Sequence, residues 1–577
     1  MKWIFRQIFY CVSVLSVLFT VGTVSVFAEG VEFSMPGSGT KSEPYLVSTF
    51  EHLSEIAEVS VSDSLDDIYF LQTQDITVNS DEIISVNSGY LSLGNIENSS
   101  VFPGIGSNSA YPFMGNYDGG GHSVKNIILS SNGNASGFFG YAKDAIIENL
   151  SLDNSILMIN TYSGGIAANV SGATEICDCS FSGLLSDSDK TNFLGVQMGS
   201  ITGYLGSGAI VTDCTASVQC AVTISPFVLN VGGISGTNAG TIQRCVNYSE
   251  LTFNSDNYHV SFAGIAGYNT GSVVACRNEG EAYGEMLNRV TVMYVGGIVG
   301  ENCGTVERCG NYASVSAVGN GNYPCYVGGI VGYNHTGKVT ICSNSGGVYS
   351  DISYAGGIVG VNLAEGAVSS LDNCLNTGFV IGTAGTTGGL VGGNIAFSGV
   401  DNVASVESSL NIGDTVSPSL GEVYAQGSGT TNIKNIYVQD IYDENAQTLT
   451  ENELTTSDGI EGLESEAWVY PKDGFMPDLT LVKNLEKAEV LAISIDKNAG
   501  KLAYSVYSPA YVGQAVAVIA FYSSDRLIGV EFQNIDISSG YSVYTASSEK
   551  IAVADNVKIM TIKSLETMSP VADRAEF

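Results

Sequence analysis

The sequence predicts an all-β chain whose body is a right-handed parallel β-helix, with three short strands in each coil of about 32 residues. Three observations predict it. The stretch "YVGGIVGENCGTVERCGNY", from Tyr294 to Tyr312, recurs along the chain. Glycine and β-branched residues fill every copy, which disfavours helical repeats of similar length. Asparagine and cysteine also return at fixed places within the copies. A propeller blade needs about 40–45 residues for its four strands. The shorter unit suits three, read as "YVGGIVG", "TVERC" and "ASVSAV", each coil burying the inner face of the next.

The elements follow in chain order. Residues 1–28 read as a secretory leader, with Lys2 and Arg6 in a positive n-region, an apolar stretch from Ile8 to Val26, and small residues before Glu29. Residues 29–112 read as an N-terminal cap and lead-in. Ser48 and Glu51 form a capping-box pattern there, and Leu53, Ile56 and Ala57 share one helical face. His52, on the same helix, is expected to be solvated.

Residues 113–440 carry the repeat. The second position of the Gly-Gly pair, Ala-Gly in one copy, falls at Gly233, Gly264, Gly297, Gly329, Gly357 and Gly389, at intervals of 31, 33, 32, 28 and 32. Weaker copies such as "SGGIAANVSGATEICDC" precede them, leaving room for roughly ten coils at a rise of about 4.8 Å. Residues 441–484 read as a C-terminal cap and linker. Residues 485–577 lose the repeat and alternate apolar with polar residues, as an Ig-like antiparallel β-sandwich would.

Two asparagine columns, Asn269, Asn302, Asn334, Asn362, Asn394 and Asn247, Asn278, Asn311, Asn344, Asn376, Asn411, read as stacked turn ladders. Cys179, Cys214, Cys245, Cys276, Cys309, Cys342 and Cys374 take one repeat position each, and Leu150 and Leu410 fill it in the terminal copies. Exchange with leucine marks an inward apolar filler, and the coil rise holds neighbouring Cβ atoms beyond the usual disulfide limit of about 4.5 Å. Reduced thiols are therefore expected. Cys177, Cys220, Cys303 and Cys325 lie off this column, and their redox state and pairing are not readable. No zinc site is expected at "CDC", whose sulfurs alternate faces.

Charge narrows the partners. The chain has 58 acidic against 22 basic residues, a net charge of −36. Such a surface repels nucleic acid and anionic lipid, and it tolerates neutral glycans.

The units "GGIVGYN…GKVTICSNSG" and "GGIVGEN…GTVERCGNYA" resemble GLUG-motif repeats. These occur in large secreted and surface proteins of Gram-positive bacteria, including IgA-protease-type proteins. "GSGTKSEPYLVSTFEHLSEIA" and "FMGNYDGGGHSVKNIIL" resemble the lead-in and first coil of such proteins, so the likeness covers about residues 35–480. "VKIMTIKSLETMSP" resembles the end of sandwich modules in secreted clostridial proteins, with Thr561 at a usually aromatic position. The resemblance implies a surface rod with appended scaffolding.

The protease of those relatives uses an H-E-x-x-H motif. None of His52, His122, His259 and His335 begins one. The glycine pairs lack the helix and the charged partner of a phosphate loop. A glycan hydrolase needs two convergent carboxylates. Asp213, Glu279, Glu281, Glu301, Glu307 and Asp372 recur near turns without a shared motif, and Arg277 and Arg308 read as solvated strand residues. Tyr258, Tyr283 and Tyr323, in variable segments, are candidates for stacking on a ligand.

The expectation is a non-enzymatic, adhesin-like binding and spacer protein with no assigned catalytic, cofactor or metal residue. It would be secreted or held non-covalently at the cell surface, without membrane insertion, and bind a glycan or an extracellular or cell-wall protein. A polysaccharide lyase or hydrolase is the alternative, and a purely structural stalk the third reading.

Overall fold

The computed structural model describes residues 33–186 (except 81–82, 88–89, 95 and 97–98), 194–221, 227–255, 259–286, 292–319, 323–351, 354–397 (except 384) and 402–416. It further describes 420–421, 427–439 (except 429), 446–450, 453, 468–469, 478–479 and 489–576, the last without 498, 509–512, 524–525, 538–539 and 563–569. The expected leader and most of the expected linker lie outside the described residues. Among the described residues no helix is long and apolar enough to cross a membrane.

The body is a parallel β-helix. Strands of successive coils pair in parallel, giving two sheets of ten strands, one of six, and a large sheet that carries two strand columns. The coil quoted above runs through Val292–Gly296, Val299–Asn302, Thr305–Glu307, Gly310–Asn311 and Val315–Val318. All three expected strands are present, and two of them bend. The first turns a corner at its glycine pair. The second breaks at Arg308, whose φ of 55° places it in the left-handed region. The break repeats at Asp178, Asp213, Arg244, Ala275, Ile341, Asn373 and Ser408, all with positive φ.

The corner needs glycine for packing. A Cβ on Gly329 would lie 2.4 Å from the Asn344 side chain, and one on Gly332 would lie 2.7 Å from the backbone nitrogen of Val295. The first contact seats the corner on an asparagine ladder. The second lets the strand leaving the corner lie directly against the one entering it.

The asparagines are ladders, but they are not turn residues. They sit on strands, fully or almost fully buried, and none has a positive φ. Up to the last rung, each Nδ2 donates to the Oδ1 of the next coil, as Asn269 does to Asn302 at 2.7 Å, Asn302 to Asn334 at 2.7 Å, Asn278 to Asn311 at 2.8 Å and Asn311 to Asn344 at 2.7 Å. Asn394 and Asn411 end the columns on backbone carbonyls. Interior amides of the same chain thus satisfy one another, as buried polar groups must.

Leu150, the seven cysteines and Leu410 form an inward column, each at most 1% exposed. Each cysteine Sγ donates to the carbonyl two residues earlier, as Cys309 does to Glu307 at 3.3 Å and Cys342 to Thr340 at 3.2 Å. Burial pushes the thiols of Cys214, Cys245, Cys309 and Cys374 well up. Cys325 also lies inside, on the first sheet beside Met293.

One helix, Phe50–Val59, adds Leu53, Ile56 and Ala57 to the same continuous core. Its N-cap is Thr49, whose Oγ1 accepts from the His52 N–H at 3.3 Å, rather than the expected Ser48. His52 is half-buried, its Nδ1 accepting from the Ser48 N–H at 3.2 Å, which corrects the solvated reading.

The C-terminal strands form one seven-stranded sheet around a core of its own. Two antiparallel ladders within it are joined by a parallel pairing of Glu489 with Asp573, so the expected purely antiparallel arrangement is corrected to a mixed one. Glu489–Asp496, Lys501–Ser508 and Gly540–Ser547 make one. Arg526–Ile537, Gly513–Ser523, Asn556–Ile562 and Pro570–Glu576 make the other. Leu502, Tyr504 and Val506 from the first share the core with Ala517, Ile519 and Phe521 from the second. Thr561 is fully buried, and its Oγ1 finds no partner among the described residues.

Candidate functional site

Two columns of outward side chains face each other across the glycine corner. On the entering strands, register pairs Ser261 with Tyr294, Tyr294 with Tyr326 and Tyr326 with Tyr354. On the leaving strands it pairs Tyr268 with Glu301 and Glu301 with Tyr333. Asn302 pairs with Asn334, so Cys303 and His335, the next residues along, also fall on neighbouring coils.

The rings of the two columns touch. Tyr294 stacks on Tyr333 with centroids 4.7 Å apart and on Tyr326 at 5.3 Å. Tyr326 meets Tyr354 edge-on at 5.3 Å, and His259 meets Tyr294 the same way at 5.3 Å. Tyr333 stacks on His335 at 5.4 Å. The result is a row of aromatic and imidazole rings along four coils. Tyr294 lies deepest, 9% exposed, while Tyr268, Tyr326, Tyr333 and Tyr354 remain half-buried. Burial pushes all five phenols up, with the Glu301 charge adding to the effect at Tyr294, Tyr333 and Tyr268.

Glu301 is the polar centre of the row. Its side chain is 13% exposed, and its Oε2 lies 3.1 Å from His259 Nε2 and accepts from Ser261 Oγ at 3.3 Å. Cys303 accepts from Tyr268 Oη at 3.8 Å, and burial beside Glu301 pushes its thiol up. The ligand atoms of Glu301, Cys303 and His335 lie within 4.8 Å of one another. Glu365 Oε2 approaches His335 Nε2 at 3.3 Å from the more exposed side.

The carboxylates singled out from the sequence scatter, apart from Glu301. Asp213 forms a fork with Arg244, whose Nη2 donates to Oδ2 at 2.7 Å and Nε to Oδ1 at 3.0 Å. Glu279 is taken by Arg277, which also lies over the Tyr312 ring. Glu307 sits 3.4 Å from Arg308 Nε, Glu281 is exposed, and burial pushes the Asp372 carboxyl up. Cys177 donates to Glu148 Oε2 at 3.9 Å, and burial pushes its thiol up to about 12. Cys220 packs half-buried at the edge of the core.

Tyr283 stands on another strand, Ala282–Met286, Tyr323 lies exposed just before the strand that carries Tyr326, and Tyr258 lies outside the described residues. The tyrosines that do converge belong to the repeat itself. Tyr294, Tyr326 and Tyr354 stand two residues before a glycine pair, and Tyr268 and Tyr333 directly precede ladder asparagines. That spacing was the available signal.

No protein-family model matches the chain, and no curated protein matches it. Among solved structures, the chain is similar to the enzymatically active domain of bacteriophage CBA120 tailspike protein 4, at 10% identity and a TM-score of 0.15. The match covers 81% of this chain and 62% of that one. The expectation that the chain is not an enzyme is corrected here, because the structure it matches is an enzymatically active domain. At that TM-score the likeness carries no argument about which chemistry this chain performs.

Proposed function

We propose that this chain is an extracellular rod that recognises polysaccharide along the tyrosine-lined corner. The observation that carries the reading is the run of Tyr268, Tyr294, Tyr326, Tyr333 and Tyr354 around Glu301. Aromatic rings offer apolar faces to the C–H faces of sugars, and convergent polar groups fix orientation. Glu301, Glu365 and the imidazoles supply those groups. A coil spacing of about 4.8 Å lets successive rings meet successive sugar residues. The net charge of −36 favours neutral or amino-sugar polymers over acidic ones.

Binding of the purified chain to a panel of neutral, amino-sugar and acidic polysaccharides tests the proposal. Tyr326→Ala and Tyr354→Ala should each weaken binding about tenfold, as loss of an aromatic anchor does. Tyr111→Ala, at an exposed position in the N-terminal lead-in, should not. Unchanged binding in the double variant would refute the assignment of this face.

A second reading, polysaccharide cleavage, is favoured by one observation. Glu301 and Glu365 both approach the His335 imidazole, and paired carboxylates are what glycoside hydrolysis employs. Release of new reducing ends that Glu365→Gln abolishes would establish it, and polymer recovered at full length would exclude it.

A further inference from the structure

We infer that Glu301, Cys303 and His335 form a binding site for a zinc-class divalent metal ion on the outer corner of the β-helix. The inference shares Glu301 and His335 with the polysaccharide reading, but it rests on donor-atom geometry and is tested with metal alone, so either can fail without the other.

Stacking creates the constellation. Glu301 and Cys303 are two residues apart on one strand and its extension, so both side chains leave on the same face. His335 comes from the next coil, at the place beside Cys303 that the Asn302–Asn334 pairing dictates. One carboxylate oxygen, one sulfur and one imidazole nitrogen consequently lie within 4.8 Å of one another. Donors around a tetrahedral zinc, at bond lengths of about 2.0–2.3 Å, stand about 3.3–3.8 Å apart, so closure by about 1 Å completes the cradle. All three side chains are half-buried. They are shielded enough to hold an ion and open enough to admit one.

The donor set selects the metal class. Thiolate and imidazole favour zinc, cobalt or nickel, whereas calcium and magnesium take oxygen ligands. Three protein ligands leave a fourth position for water or an external ligand, the arrangement of exchangeable rather than purely structural sites. Outer partners are present as well. His259 and Ser261 hold Glu301 Oε2, at 3.1 and 3.3 Å, and so orient that carboxylate. Cys177 serves as the contrast: it has Glu148 beside it, but no histidine joins them among the described residues.

Cobalt(II) titration of the purified full chain, without a histidine tag, tests the inference. Bound cobalt should give a thiolate-to-cobalt charge-transfer band that saturates at one ion per chain, and zinc should displace it. Cys303→Ser should abolish the band. His335→Gln should weaken binding about 100-fold or more, since loss of mere outer partners already costs about 10–100-fold. His259→Ala should fall in that 10–100-fold range while keeping the band. Cys177→Ser should leave the titration unchanged. Circular dichroism of each variant confirms the fold, and His335→Gln, which spares all thiols, tests the site separately from Cys303. A band that persists in Cys303→Ser, or a wild-type chain that gives none, overturns the inference.

Discussion

Replacing Asn311 by alanine removes one rung of a ladder and tests whether the amides hold the coils in register. Asn311 Oδ1 accepts from Asn278 at 2.8 Å, and its Nδ2 donates to Asn344 Oδ1 at 2.7 Å and to the Ala313 carbonyl at 2.8 Å. Alanine breaks all three. Asn278 Nδ2 keeps only the Gly280 carbonyl at 2.9 Å, and Asn344 Oδ1 loses the amide that served it. Both stranded groups are fully buried, and each costs about 1–3 kcal/mol. The missing carboxamide also leaves a void beneath Gly297, whose Cβ position lies 2.4 Å from Asn311 Cγ. The sum is about 4 kcal/mol, and in a solenoid it falls on this coil and its two neighbours. Equilibrium urea unfolding followed by far-ultraviolet circular dichroism measures the loss, with exposed Glu281→Ala as reference. A loss under about 1 kcal/mol would refute the argument, because no buried polar group would then have been stranded.

Two other expectations follow from the same structure. Chain purified without reductant and then denatured should titrate at least the seven thiols of the inward column, whereas in the native chain half-buried Cys303 and Cys177 should react first; finding almost no thiol after denaturation would sink the reduced ladder. Near the N-terminus, the Lys125 ammonium and the Ser123 N–H hold the Asp75 carboxyl down at about 2. The depressed value means that this pair stabilises the fold above the ordinary aspartate range and ceases to do so as pH falls toward 2. Lys125→Met should move the NMR-monitored Asp75 midpoint back toward 3.8, and an unmoved midpoint would refute the pairing.

The repeat was legible because a solenoid writes its period into every coil. Glycine pairs, cysteines and asparagines return at fixed places, and each return marks one layer of the stack. The bends within a coil were harder to read. "YVGGIVG" has the alternation of one strand, yet its halves belong to different sheets, Val295 pairing with Val327 in one and Val299 with Val331 in the other. The left-handed break carries Asp, Arg, Ala, Ile, Asn or Ser, so no residue type announces it.

The candidate site depended on that hidden corner. His259 and Glu301 are 42 positions apart, and alternation alone sends their side chains outward from two different strands. Only the fold at the glycine pair turns those strands' outer faces toward each other. Cys303 was visible as an exception to the repeat, but its partner His335 belongs to the next coil. Variable segments, which often bind, carry Tyr258, Tyr283 and Tyr323, yet the regular strands on either side of the glycine corner supply the rings.

The asparagine ladders also have a direction. Every amide hands its proton toward the C-terminal end, from Asn238 to Asn269 and onward to Asn394, and from Asn247 onward to Asn411. A one-way chain of this kind can be lengthened anywhere. Duplicating one unit in the gene adds a link that receives from the coil before it and gives to the coil after it, while both ends keep their own partners. Reversing a unit would set oxygen against oxygen at one junction and amide against amide at the other. The rod can therefore change its reach in whole-coil steps, each new coil adding about 4.8 Å and a fresh stretch of outer surface on which recognition can vary.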